Sequence, residues 1–300
     1  MFPLLLALIA GLSWGSADFV GGLMTRRFAP ATVLVVGQAA GLLFTAGLVV
    51  ALGEPPPEAR FLVYGGLGGL AGAIGLASLY KGLAVGRMSI VAPIAALSGV
   101  VPVIAGFAQG ERPGAVQLAG MAIAGVGIVL AVRSPAPDHA IAAVGPDLAV
   151  APVGDAGQER RRATTAGFGY ALSAAVFLGF LVTSLDAAGD ASPVWATMMV
   201  RLVSVPLFVV AWFVRGRGGP ALSRRDVVVL AVVGLFDNGA NVLFAIAARE
   251  GLLSLVSVLG SLYPVSTVLL ARVFLHERLG RIQTVGVAAA FVGVALIAVG

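Results

Sequence analysis

Apolar stretches of about 20 residues recur along the whole chain, and short polar segments between them hold nearly all the charge. A helix rises about 1.5 Å per residue and a bilayer core is about 30 Å thick, so each stretch is long enough to cross. Ten segments qualify: Phe2 to Gly22, Pro30 to Leu52, Phe61 to Ala84, Met88 to Ala108, Ala115 to Val132, Ala166 to Asp186, Pro193 to Val214, Val227 to Ala248, Leu253 to Leu275 and Ile282 to Gly300. The pattern predicts an all-α integral membrane protein of ten transmembrane helices. The N-terminal stretch lacks a basic flank and a small-residue cleavage site, so it reads as a retained span.

Residues 134–165 differ in composition. They are rich in Ala, Pro, Gly and Asp, end near Glu159-Arg160-Arg161-Arg162, and read as a flexible linker. The linker divides the chain into a first repeat, residues 1–133, and a second, residues 166–300. The two resemble each other. Leu79 to Gly86, Ser89-Ile90-Val91, Ala96-Leu97 and Gly110-Glu111-Arg112 recur as Phe244 to Gly251, Ser254-Leu255-Val256, Ser261-Leu262 and His276-Glu277-Arg278, offset by 165 residues and slipping to 166 at the Glu-Arg pair. Five spans per repeat is an odd number, so the second repeat enters from the opposite side, and the expectation is an inverted-topology pair built for alternating access.

Composition agrees: 59% of residues are hydrophobic and 11% charged, with a mean hydropathy of +1.02, whereas a soluble domain carries about 25% charged residues. The net charge of +5 does not imply a nucleic-acid partner, because the basic residues lie in loops rather than along one amphipathic face. They set orientation instead. Arg26, Arg27, Lys81, Arg87, Arg133, Arg160 to Arg162, Arg215, Arg217, Arg224, Arg225, Arg278 and Arg281 fall on one side and Arg60, Arg112 and Arg249 on the other, which puts both termini outside a cell membrane. There is no cysteine, which excludes disulfides, thiolate-bound zinc and thiol catalysis. No cofactor or metal motif appears. Gly11-Leu12-Ser13-Trp14-Gly15 matches a hydrolase nucleophile pattern in letters only, since it lies in a span and no histidine sits where a base would be needed.

Several residues match a known family. Trp14-Gly15 in the first span, and Ser261-Leu262-Tyr263-Pro264-Val265-Ser266-Thr267-Val268-Leu269-Leu270-Ala271 running to Glu277-Arg278, resemble the drug/metabolite transporter superfamily, specifically EamA-type permeases with two five-helix repeats. Ala96-Leu97-Ser98-Gly99-Val100-Val101-Pro102 is a weaker copy with its proline displaced. The resemblance implies a permease, an exporter rather than an importer, with a central cavity lined by spans 1, 3, 4, 6, 8 and 9. It also implies a small-molecule substrate, a lipid setting and no cofactor, and leaves the substrate and the oligomeric state open, a monomer being compatible. The family often carries an Arg early in the second span of each repeat; Arg201 fits, but its first-half counterpart lies near Gln38.

Charged groups inside spans are costly and so point to function or to buried pairing. Asp237 lies mid-span with Asn241 one turn later, reading either as a cavity wall or as glue between helices. Asp18 lies one turn from Trp14 and reads either as a ligand for a cation or proton, or as a partner of Arg26 or Arg27. Arg201 needs an anion, with Asp237 the natural candidate. Proton coupling would run through Asp18 or Asp237. Tyr80 and Tyr263 read as substrate-stacking rings or as packing. Pro264 and Pro102 should kink spans nine and four and free carbonyls near mid-membrane. The two Glu-Arg pairs read as loop clamps rather than substrate ligands. A channel, a lipid scramblase and an intramembrane enzyme are the competing classes.

Overall fold

A computed structural model describes residues 1–25, 27–85, 94–132, 156–215, 221–274 and 280–300. The described residues form helices joined by short turns: α1 (Phe2–Thr25), α2 (Pro30–Leu52), α3 (Ala59–Val85), a 3-10 turn (Ala96–Gly99), α4 (Val100–Ala108), α5 (Ala115–Val132), α6 (Ala156–Gly189), α7 (Pro193–Arg215), α8 (Arg224–Glu250), α9 (Leu253–Gly260), α10 (Tyr263–Phe274) and α11 (Arg281–Val299). Among the described residues, eight apolar spans are long enough to cross a membrane, one of them running from α9 through α10, and two shorter apolar helices cover Ala96–Ala108 and Ala115–Ala131. Residues 88–93, where the fourth expected span begins, lie outside the described set.

Local chemistry sets the helix ends. Pro30 opens α2, where its missing N–H costs nothing, and Gly53 closes it at φ 63°, a conformation that side chains with a Cβ resist. Ser223 caps α8 through a reciprocal box with Asp226. α6 starts at Ala156, inside the segment read as linker. Ala, Gln, Glu and Arg are strong helix formers even where hydropathy is low. Its 34 residues span about 50 Å, so its arginine-bearing first turns project beyond the roughly 30 Å hydrocarbon layer. The remainder of that linker, residues 134–155, is outside the described set.

The ninth span is broken rather than kinked. α9 ends at Gly260, a turn covers Ser261-Leu262, and α10 begins at Tyr263. Pro264 cannot donate to the carbonyl one turn back, but in the first turn of a new helix no such donation is needed. Pro102 occupies the first turn of α4 in the same way, behind the 3-10 turn.

Packing repeats with the sequence. α1 lies along α8 as α6 lies along α3; α3 lies along α7 as α8 lies along α2; α1 meets α10 as α6 meets α4. α2 with α7 and α5 with α11 pair equivalent elements directly, and α4 meets α9 where the fourth span crosses the ninth. Exchanging the two halves therefore maps the largest of these helix contacts onto one another, and they run between halves. Neither repeat buries its packing face alone. Glycines mark the equivalent crossings: a Cβ on Gly15 would strike the Tyr263 carbonyl and Ser266 Cβ, and one on Gly179 would strike the Ser98 carbonyl and Val101 Cβ. Ser98 and Tyr263, like Val101 and Ser266, are 165 residues apart. Leu43, Val50, Val214 and Ile282 point outward, as a lipid-facing surface requires.

Candidate functional site

The polar centre is built on Arg201, a guanidinium only 3% exposed on α7. Each of its nitrogens has a partner. Nε donates to Asn238 Oδ1 at 2.6 Å, Nη2 to Asp237 Oδ2 at 2.7 Å and Nη1 to Gln38 Oε1. Gln38 Nε2 in turn donates to Asp237 Oδ2 at 3.2 Å. A buried guanidinium is tolerated when it is paired and hydrogen-bonded, and here each of its three nitrogens has an acceptor. Asn238 Nδ2 donates to the Gly41 carbonyl, extending the network to α2. The two positions matched by sequence, Gln38 and Arg201, thus meet across the α2–α7 crossing.

The Asp237 side chain remains 29% exposed, because it opens onto a hollow of about 430 Å³ walled by α1, α2, α3 and α8. Asp18, Gln38, Leu76 and Asp237 line it. Asp18 is exposed there and has no hydrogen-bond or ion-pair partner among the described residues. Arg27, offered above as one of its partners, pairs instead with Asp226 at 3.3 Å; Arg26 lies outside the described residues. One turn along α1, a second hollow of about 250 Å³ is lined by Trp14, Ser98, Phe244, Ser257, Ser261 and Tyr263, among others. Trp14 and Phe244 hold their ring centroids 5.6 Å apart. Ser98 and Tyr263, equivalent positions of the two repeats, both line this hollow. The Ser257 hydroxyl is buried and has no partner among the described residues.

The expected residues divide accordingly. Trp14, Asp18, Asp237 and Tyr263 line the hollows, and Arg201 stands behind Asp237. Asn241 is 2% exposed and lines neither hollow; Asn238, the next residue after Asp237, takes the role of its companion. The Tyr80 side chain and the Glu277-Arg278 pair lie outside what is described. Glu111 clamps, as its position at a helix end implied, by accepting the backbone N–H groups of Leu253 and Ser254 at the start of α9. Sequence reading passed over Asn238 because the 3.6-residue period favours the fourth residue onward as same-face partner. It also passed over Ser98, Ser257 and Phe244, although Ser98 and Phe244 stand inside the repeated motifs.

A second clamp joins loop to loop on the same side. Glu54 accepts the Ser192 hydroxyl, and its carbonyl accepts Trp195 Nε1 at 3.2 Å. No group of three or more metal-binding side chains is present among the described residues.

The sequence matches the EamA-like transporter family over residues 1–133 and 165–299, so each half carries the family pattern. No curated protein is matched by the chain. A solved crystal structure shares 18% identity over 98% of this chain and 95% of its own, with a TM-score of 0.74. At that identity the likeness concerns the fold alone.

Proposed function

The chain belongs to the EamA-like transporter family, and from that premise we propose that it is a secondary transporter carrying a small solute out of the cell by alternating access. The observation that carries this reading is a polar hollow at the seam of two repeats whose packing is interchangeable. Two near-equivalent halves can exchange conformations at little cost, and each exchange would present the hollow to the other side. In this reading ten helices cross the plasma membrane as two oppositely inserted sets of five, with both termini outside. The broken ninth span and the 3-10 turn of the fourth supply irregular backbone where it borders a cavity instead of lipid.

Asp18 and Asp237 are the groups through which solute movement would couple to a proton gradient, since they are the carboxylates that line the acidic hollow. Purified protein in proteoliposomes should give saturable flux that responds to an imposed pH gradient. Asp237→Asn should abolish the coupled component while the chain still inserts. Flux that rises in proportion to concentration without saturating would indicate a channel instead, and turnover of a solute without its movement would indicate an enzyme.

A further inference from the structure

Resting on the transporter reading, the charge balance of the two hollows narrows the substrate class. Asp18 faces the acidic hollow without a partner among the described residues. Asp237, its neighbour there, is already neutralised by Arg201. Arg201 itself has an acceptor on each nitrogen, lines neither hollow and is buried behind the wall. No other Lys, Arg or His lines either hollow among the described residues. Among the described residues the lining therefore holds one carboxyl group without a partner and no free cationic side chain.

One turn along α1 the surroundings change to Trp14, Phe244 and Tyr263. Aromatic faces attract cations as well as apolar bodies. Ser257, 2% exposed, adds a hydroxyl that finds no partner among the described residues, which an occupant with a polar substituent would satisfy. A carboxylate-bearing occupant fares worse. The break between α9 and α10 offers it little, because the N–H groups of Ser261, Leu262, Val265 and Ser266 already bond within the chain and Pro264 has none. A zwitterionic amino acid would bury its carboxylate with no cationic partner, at a cost of the kind that excludes unpaired charges from protein interiors.

We infer that the substrate is a small organic monocation, an aryl or alkyl ammonium without a carboxylate, whose charged end lies against Asp18 and whose body enters the Trp14–Phe244–Tyr263 hollow.

The test compares phenyltrimethylammonium with phenylalanine on the purified full-length chain, by calorimetric binding and by flux in proteoliposomes. The permanent charge of the first removes leakage of a neutral amine from the measurement. The cation should bind at least about tenfold more tightly than the amino acid, and Asp18→Asn should weaken it by about tenfold or more. Asp18→Glu, which keeps the charge, should retain most of the affinity. Equal or tighter binding of phenylalanine would overturn the assignment, as would unchanged cation binding by a monodisperse Asp18→Asn protein. If that variant does not fold, the cation-to-zwitterion ratio on the parent chain and on Asp18→Glu decides alone. Saturable movement of neutral solutes but not of the cation would sink this inference and leave the transporter reading standing. Absence of saturable movement for solutes of every charge would sink both.

Discussion

Replacing Arg201 with methionine probes the centre of the fold. The change keeps much of the aliphatic stem and removes three hydrogen bonds, to Gln38, Asn238 and Asp237. Hydrogen bonds to a charged group contribute about 1.5 to 3 kcal/mol each, so a rigid site would lose more than about 5 kcal/mol. Asp237 is 29% exposed to its hollow and can recover water, and Gln38 and Asn238 can turn toward each other. Relaxation brings the expected loss to about 3 to 5 kcal/mol, the range for breaking a buried pair from one side. In Arg201→Met combined with Asp237→Leu no charge is stranded, so the double variant should be more stable than the single one. A double-mutant cycle should then return a coupling of about 2 kcal/mol or more. Equilibrium unfolding in mixed micelles, followed by helical circular dichroism, measures all four proteins. A single variant within about 0.5 kcal/mol of the parent, or additive effects, would refute the view that this cluster holds α2, α7 and α8 together.

Two further substitutions test the packing. Gly127→Val should separate α5 from α11, because a Cβ there meets the Ala290 and Gly286 backbone, and the monodisperse fraction by fluorescence-detected gel filtration should fall sharply; Gly125→Val, with open space beside it, should leave that fraction unchanged. Glu111→Gln keeps a hydrogen-bond acceptor but removes the negative charge at the start of α9, so it should cost about 0.3 to 1 kcal/mol in the same unfolding assay, less at high salt.

The fold was legible because lipid imposes a length on every span and the repeat is written into the motifs. Leu79 to Gly86 and Phe244 to Gly251 fixed the halves before any contact was known. The charge of Arg201, placed inside a span, required an anion, and Asp237 provided it. Less legible was anything decided by facing helices. Asn238 and Asn241 differ in role only because α7 and α2 approach α8 on a particular side. Trp14 and Phe244 come together from spans far apart in sequence, and no periodicity in either helix announces the meeting. The start of α6 was hidden for a different reason, since hydropathy measures preference for lipid and not helix propensity; Ala156 to Thr165 form helix without entering the bilayer core.

The central claim is that the two repeats enter the membrane in opposite directions. The chain has no cysteine of its own, so single cysteines can report sidedness directly. Pro56 lies between α2 and α3 and Ala221 between α7 and α8, 165 residues apart and both exposed. In whole cells a membrane-impermeant maleimide should label Pro56→Cys at once and Ala221→Cys only after permeabilisation. Labelling of both from the same side would contradict the inversion and, with it, the account of how the hollow changes sides.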